Sequence, residues 1–209
     1  MTKILIIGRG FLGTTLYEIS KVKRFQSDIT CYKDDNGIDV RDISSIESFF
    51  EKNSAEVVVN CTAISQVDEI QKNKDLALQV NSFGAENIAK SCKKYGKKLI
   101  HISTDSVFDG KKGMYSENDL PNPINDYSKT KKLGEDLVKK AIDEHIIIRT
   151  NFYGAYSPKK NLFDWVINNL KNQNQIIGFS DVIFNPLEVQ NLSGMILELG
   201  TSRFNGIIH

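Results

Sequence analysis

The segment Ile4-Leu-Ile-Ile7, followed by Gly8-Arg-Gly-Phe-Leu-Gly13, indicates how the rest of the chain is organised. The apolar run is too short for a helix, and its β-branched composition is typical of a strand buried on both faces. Leu12, Leu16 and Ile19 then recur at helical spacing. A G-x-G-x-x-G turn between a strand and a helix is the sequence context of dinucleotide binding.

Each glycine of this turn has a separate expected role. Gly8 permits the tight turn, Gly10 permits a pyrophosphate to approach the backbone, and Gly13 lets the helix pack on the strand. The phosphates would face the helix N-terminus. We therefore predict a cofactor-binding segment whose members are Gly8, Arg9, Gly10, Phe11, Leu12 and Gly13. The alternative is a glycine-rich strand-to-helix turn that binds no ligand.

Strand and helix patterns alternate along the remaining sequence. Further strands are predicted at residues 28–33, 38–42, 57–60, 97–102, 146–149 and 205–209. Helices are predicted from a cap at Ser44 or Ser45 and at residues 75–95, 127–142, 162–170 and 187–199, with Trp165 on a buried side. The expected class is α/β, a doubly wound parallel sheet with helices on both faces.

Composition excludes several classes of partner. The chain has 209 residues, of which 25% are charged and 40% hydrophobic, and its net charge is +1. That balance gives no electrostatic case for nucleic acid or a membrane surface. No apolar run approaches the ~18 residues of a membrane helix. The three histidines are far apart, so we predict no metal site.

Cysteine usage and the N-terminus predict a cytoplasmic protein. Cys31, Cys61 and Cys92 are widely spaced and form no C-x-x-C pair, which favours reduced thiols. The first residues lead directly into a strand, without a signal-peptide pattern.

The end of the second predicted strand bears on the choice of cofactor. An NAD site usually has an acidic residue there to bind the ribose 2′-hydroxyl, whereas this strand ends at Lys33. Asp34 and Asp35 follow at once, and Arg9 supplies a second cation. We predict NADP(H), with NAD(H) as the alternative.

Residues 101–131 carry the candidate chemistry. A buried strand would deliver the hydroxyls of Ser103 and Thr104, and a helix would place Tyr127 and Lys131 on one face because they are four residues apart. A hydroxyl, a phenol and an ammonium beside a bound cofactor could move a proton to or from a carbonyl.

An ordered set of motifs resembles the extended short-chain dehydrogenase/reductases, and more closely the dTDP-4-dehydrorhamnose reductase branch. The similarity covers nearly the whole chain. The matching motifs are Val58-Val-Asn60 with Ala63, Val67-Asp68, Val80-Asn81, Ser103-Thr-Asp105 with Val107-Phe-Asp-Gly110, Pro123, Tyr127-Ser-Lys-Thr-Lys131 with Gly134-Glu135, and Arg149-Thr150.

The resemblance implies roles for individual residues. Thr104, Tyr127 and Lys131 match the catalytic triad of the family, and Asn81 matches its supporting asparagine. The other implied cofactor contacts are Asp39 and Val40 at the adenine and Cys61, Thr62 and Ala63 along the strand end. The implied substrate side consists of Thr104, Asp105, Ser106 and Asn151. The expected activity is NAD(P)H-dependent reduction of the 4-keto group of a nucleotide-activated deoxysugar for polysaccharide synthesis, with a homodimer formed through the helices at 75–95 and 127–142.

Some positions depart from the family pattern. The related 4,6-dehydratases have glutamate where this chain has Ser106, which disfavours a dehydratase, and the rhamnose branch usually has tyrosine there. In the segment 181–187, Pro186 keeps its place in the branch motif but the surrounding polar groups differ, and family members continue well beyond His209. We expect a dinucleotide-binding domain at 1–150 and, at 151–209, a partial, C-terminally truncated substrate lobe interleaved with the last strand or strands of the sheet. The alternatives are a non-catalytic NADP(H)-binding regulatory subunit and a nucleotide-sugar epimerase.

Overall fold

A computed structural model describes residues 2–35, 37–155 and 161–209. In chain order its strands are β1 (Lys3–Ile7), β2 (Gln26–Thr30), β3 (Val57–Asn60), β4 (Lys98–Ser103), β5 (His145–Arg149), β6 (Phe152–Tyr153), β7 (Leu187–Glu188) and β8 (Gly206–Ile208). The helices are α1 (Phe11–Val22), α2 (Ile43–Lys52), α3 (Val67–Lys72), α4 (Lys74–Leu78), α5 (Gly84–Lys94), α6 (Asp126–Ala141), α7 (Leu162–Lys171) and α8 (Val189–Thr201).

Six strands form one parallel sheet in the order β2-β1-β3-β4-β5-β8, and β6 pairs with β7 separately. The order reverses at β1, which lies between β2 and β3. At such a point the connections leave the sheet in opposite directions and open a crevice at the carboxyl ends of the strands. The predicted doubly wound α/β class is confirmed, and the turn after β1 opens into this crevice.

Both faces of the sheet are apolar, which explains the short β-branched runs in the sequence. Successive side chains of a strand point to opposite faces, so Leu5 and Ile7 lie in one core cluster while Ile4 and Ile6 lie in the other. The first cluster includes residues of α2, α5 and α6, and the second includes residues of α1 and α8.

Two predicted strands differ from the structure. Residues 38–42 are not a strand, although Ile38 and Val40 are buried. Burial of alternate apolar residues therefore produced a strand pattern in an irregular segment. The second strand ends at Thr30, and Lys33 lies in the turn that follows.

The predicted helix at 75–95 is divided. A π-helical turn, Gln79–Phe83, separates α4 from α5. Here α6 approaches closely, since a Cβ built at Gly134 would lie 2.5 Å from the Asn81 carbonyl oxygen. The Ser82 hydroxyl also donates to the carbonyl of Thr130 at 2.7 Å. Apolar periodicity does not report such a local widening, because the residues on either side keep helical spacing.

The remaining helix predictions differ in detail. Trp165 is 47% exposed, so its predicted burial was wrong. An amphipathic pattern indicates that an apolar face exists but does not say what covers it. The N-cap of α2 is Asp42, whose carboxylate accepts from the Ser44 amide, rather than Ser44 or Ser45. The helix near 187–199 begins at Val189 because Leu187 and Glu188 form β7.

Among the described residues, no helix has the length and apolarity that crossing a membrane requires. Helices α5 and α6 pack on each other within the chain. Their pairing with a second copy stays a prediction.

A buried ion pair ties α6 to the sheet. The Arg149 guanidinium donates to both carboxylate oxygens of Glu135, at 2.7 Å from Nη2 and 3.0 Å from Nε. Ser103, the register partner of Arg149, donates to the same carboxylate at 2.6 Å. Both charged side chains are at most 2% exposed. Removal of one partner would leave the other buried and uncompensated.

We predict that Glu135→Ala lowers the free energy of unfolding by about 3–5 kcal/mol, measured by urea denaturation, because Arg149 loses its partner. Asp136→Ala is the matched control, since Asp136 is 46% exposed and pairs with Lys132. Such an exposed pair contributes less than about 1 kcal/mol. Similar losses in the two variants would contradict this interpretation.

Candidate active site

The glycine turn has little room for side chains at two of its three glycines. Gly8 has a φ of +112°, and a Cβ built at Gly13 would lie 2.0 Å from the Gly8 carbonyl oxygen. A Cβ at Gly10 would meet nothing within 4 Å. Gly10 is the N-cap of α1, so open space lies directly before the helix N-terminus. This is the arrangement in which backbone N–H groups can receive a phosphate.

The end of β3 lies against this turn. The backbone of Cys61 and Thr62 would lie 3.0–3.1 Å from a Cβ at Gly8. Thr62 is half-buried and Ala63 is exposed at the same sheet edge. Burial raises the pKa of the Cys61 thiol to about 12, which keeps it protonated at neutral pH.

Arg9 and Lys33, the two cations predicted to bind a 2′-phosphate, have different surroundings. Arg9 Nε lies 3.1 Å from an Asp34 carboxylate oxygen, and its Nη2 donates to the carbonyl of Ile29 in β2. Arg9 is therefore held at the end of β2, where the predicted cofactor ribose would lie. Lys33 is exposed, with its ammonium 5.7 Å from the centroid of the Tyr32 ring.

The implied adenine residues and the supporting asparagine lie on neighbouring segments. Asp39 forms an ion pair with Arg41, which lowers the pKa of its carboxyl group. Val40 packs against Gly84, where a Cβ would lie 2.7 Å from a Val40 methyl. The Asn81 side chain accepts from the Ile64 amide at 2.8 Å and donates to the Ile64 carbonyl at 2.9 Å, so it holds the segment that follows β3.

Thr104 and Tyr127 come together at the carboxyl end of β4. Thr104 is 5% exposed and accepts from the Ser106 amide at 3.2 Å. Burial raises the pKa of Tyr127 to about 12, and a side-chain hydrogen bond with Thr104 opposes that rise. The phenol is therefore protonated at neutral pH and adjacent to a second hydroxyl.

Lys131 lies one helical turn from Tyr127 and is 1% exposed. Its Nζ donates to the Ile102 carbonyl at 2.7 Å and lies 3.4 Å from His101 Nε2. Burial lowers the pKa of Lys131 to about 8, while Glu135 and Cys61 oppose that change. The predicted hydroxyl and phenol therefore lie together, and the predicted Lys131 side chain is buried one helical turn from the phenol.

The implied substrate residues form one hydrogen-bonded group. The Asn151 amide donates to Asp105 at 2.6 Å, and the hydroxyls of Thr104 and Ser106 lie 3.3 and 3.4 Å from the other Asp105 oxygen. Asn151 precedes β6 and accepts through its backbone from Leu187 of β7. The group therefore connects the end of β4 to the small β6-β7 pair.

Two buried polar residues near Lys131 were not predicted as site residues. Asn60 ends β3 and His101 lies in β4, and their side chains are 3.1 Å apart. The sequence signal for Asn60 and His101 was a polar residue within an apolar, β-branched strand. The contacts of such a residue depend on how the strands pair, which the sequence pattern does not show. In the part of the chain that the structure describes, no group of three or more His, Cys, Asp or Glu residues is arranged to hold a metal ion.

Comparison with known proteins identifies the family. The profile of the RmlD substrate binding domain matches residues 1–209. The chain belongs to that family.

Individual family members show how far the similarity extends. The chain is 30% identical over 177 residues to the probable low-salt glycan biosynthesis reductase Agl14 of Haloferax volcanii, covering 82% of this chain and 59% of that protein. It is 31% identical over 211 residues to the spore coat polysaccharide biosynthesis protein SpsK of Bacillus subtilis, covering 100% of this chain and 73% of that protein. The chain therefore spans between about half and three quarters of the length of these relatives.

A solved structure agrees with the fold over the whole chain. The dTDP-4-dehydrorhamnose reductase of Bacillus anthracis, solved in complex with NADP, superimposes with a TM-score of 0.91 at 31% identity, covering 100% of this chain and 74% of that one. The doubly wound parallel sheet described above therefore has the same fold as that reductase.

We predict different effects for alanine at two glycines of the turn. Gly13→Ala should lower the free energy of unfolding by about 1–3 kcal/mol, because its Cβ meets the backbone of Gly8. Gly10→Ala should leave it within about 0.5 kcal/mol, because the site is open. Urea denaturation of both variants checks the packing assigned to this turn, and a loss at Gly10 as large as at Gly13 would contradict it.

Proposed function

We propose that this chain binds NADP(H) at the glycine turn and reduces the 4-keto group of a nucleotide-activated deoxysugar. The observation that carries the proposal is the proximity of Thr104 and Tyr127, with Lys131 buried one helical turn from Tyr127, at the sheet edge onto which the glycine turn opens. The names of the relatives, which include glycan and dTDP-4-dehydrorhamnose reductases, support this reaction class.

The cofactor would lie between the turn after β1 and the end of β3. Its pyrophosphate would face the N-terminus of α1 at Gly10, and its adenosine end would lie near Arg9, Lys33 and the Asp39–Val40 segment. The backbone from Cys61 to Ala63 would follow the cofactor toward the hydroxyl pair. When bound, NADPH supplies the hydride.

The proton that the reduction requires would come from side chains of the protein. Tyr127 would donate its proton to the carbonyl oxygen as the carbon is reduced, and Thr104 would hydrogen-bond the same oxygen. A phenol with a pKa of about 12 is a poor acid unless a cation stabilises the phenolate that it leaves behind. Lys131, one helical turn from Tyr127, would supply that cation in its ammonium form.

The substrate side favours reduction over dehydration. An elimination needs an acid–base pair beside the sugar. The related dehydratases have the glutamate of that pair at the position where this chain has the hydroxyl of Ser106. Asn151 and Asp105 form a polar pair that can orient sugar hydroxyl groups. The intact set of Thr104, Tyr127 and Lys131 favours catalysis over a purely regulatory role.

We assign residues 1–150 to dinucleotide binding and residues 151–209 to a mixed role. Within the latter segment β6, α7 and β7 would lie on the substrate side, whereas α8 and β8 return to the main sheet. A reaction between NADPH and a nucleotide sugar would take place in the cytoplasm.

We predict that Tyr127→Phe lowers kcat with a 4-keto nucleotide sugar at least about 100-fold, because the proton donor is lost. Affinity for NADPH, measured by fluorescence titration, should stay within about threefold. The control is Tyr95→Phe, because the Tyr95 hydroxyl donates to Glu51 at the surface. Wild-type turnover by Tyr127→Phe would disprove the assignment, and NADPH binding without turnover by the native protein on a broad sugar panel would favour the regulatory alternative.

We predict that the protein binds NADPH more tightly than NADH and that Arg9→Ala weakens NADPH binding by about tenfold with little effect on NADH. The exposed Arg9–Asp34 pair costs little to break, so the guanidinium is available to a 2′-phosphate. Lys23→Ala, which removes an exposed ion pair with Glu198 on the α1–α8 surface, is the control. Tenfold tighter binding of NADH by the native protein would overturn the preference.

A further inference from the structure

A chain of buried polar side chains connects the end of β3 to Lys131. Asn60 and His101 are register partners in β3 and β4, so their side chains project from the same face of the sheet. Asn60, His101 and Lys131 are each at most 1% exposed. Buried polar groups of this kind are expected to satisfy one another through hydrogen bonds.

The orientation of the Asn60 amide follows from Thr62. The Asn60 Oδ1 lies 3.0 Å from the Thr62 backbone nitrogen and 2.6 Å from the Thr62 hydroxyl. A backbone N–H only donates, so the amide oxygen faces Thr62 and the amide nitrogen faces His101.

This orientation determines the tautomer of His101. The Asn60 Nδ2 only donates, and it lies 3.1 Å from His101 Nδ1. Nδ1 must therefore accept, and a neutral imidazole then carries its proton on Nε2. An imidazolium would direct an N–H at the Asn60 amide, and burial together with Lys131 holds the pKa of His101 well below its usual range.

The proton on Nε2 points at Lys131, whose Nζ is 3.4 Å away. An ammonium has no lone pair, so only the amine form of Lys131 can accept from this imidazole. The same Nζ donates to the Ile102 carbonyl at 2.7 Å, which the amine form also permits.

We propose that His101, oriented by Asn60, is a positioning residue that holds Lys131 at the Ile102 carbonyl and favours its amine form. The consequence for activity rests on the proposed reductase function, whereas the tautomer of His101 does not. The ammonium form of Lys131 cannot accept the Nε2 proton of His101 and therefore loses this favourable contact.

Other titratable groups also face this network. Burial lowers the pKa of Lys131 to about 8, and Glu135 on α6 and Cys61 after β3 oppose that change. Glu135 is itself paired with Arg149 of β5, and His145 at the start of β5 disfavours the charged form of His101. Lys131 is charged below its pKa and neutral above it, so reductase activity should fall as the pH rises through about 8.

The tautomer can be measured directly by 15N NMR of the histidine rings. His101 should be neutral with its proton on Nε2 from pH 5.5 to pH 8. His145 and His209 serve as internal references, because their Nδ1 atoms lie 2.8 and 3.2 Å from the carbonyl oxygens of Ile142 and Tyr115 and must carry a proton. A proton on Nδ1 of His101, or a His101 pKa above 6, would overturn the proposal.

Asn60→Asp should reverse the tautomer. A carboxylate cannot donate to Nδ1, so the proton moves to Nδ1 and Nε2 becomes an acceptor for the Lys131 ammonium. The alkaline limb of kcat/KM should then shift upward by about one pH unit. The added negative charge acts in the same direction, so a variant without added charge is needed.

His101→Gln and His101→Asn supply that comparison. The glutamine amide ends near the position of Nε2 and can present its oxygen to Lys131, whereas the asparagine amide ends near the position of Nδ1 and contacts only Asn60. We expect the alkaline limb of kcat/KM to shift to higher pH by more in His101→Gln than in His101→Asn. If all three variants lose kcat while the alkaline limb of kcat/KM stays at the same pH, His101 has only a structural role. That result would overturn the proposal. If the native protein reduces no sugar, the proposed function fails, and the NMR measurement still decides between the tautomers.

Discussion

Hydrogen bonding between the polar side chains of β4 and α6 is the constraint on which the candidate site depends. The strand presents His101 and Ser103 on one face, and the helix presents Lys131 and Glu135, four residues apart. His101 contacts Lys131, and Ser103 contacts Glu135. Each of these groups would be costly to bury alone, so the contacts hold α6 in the position that brings Tyr127 to Thr104.

The glycine turn imposes a second constraint on the same edge of the sheet. Gly13 lets α1 start directly against the carbonyl of Gly8, and Gly8 lets the end of β3 approach the turn. The open space before α1 thus lies next to the segment from Cys61 to Ala63. These two close contacts and the α6 network surround one crevice, and the proposed cofactor would extend from one to the other.

Local sequence patterns predicted strands and helices well where the burial of a segment follows from its own side chains. The apolar run before Gly8 and the Tyr127-to-Lys131 spacing identified a buried strand and a helix that the structure contains. The patterns failed where neighbours set the outcome. The segment 38–42 has alternating burial without a strand partner, the π-helical turn at Asn81 accompanies the close approach of α6, and Trp165 lies on an apolar face that the described chain leaves half exposed.

Taken alone, the sequence determined the alternation of strands and helices, the glycine turn, the spacing of Tyr127 and Lys131 and the hydroxyls at 103 and 104, because these depend on residue type and short-range spacing. The family resemblance selected Thr104 from the two hydroxyls. Tertiary structure decided the partners of Lys131. Asn60, His101 and Lys131 are 41 and 30 residues apart along the chain, and they meet only because β3 pairs with β4 in one register and α6 packs over them. No local pattern encodes that register, and the hydrogen-bond direction that reaches Lys131 follows from it.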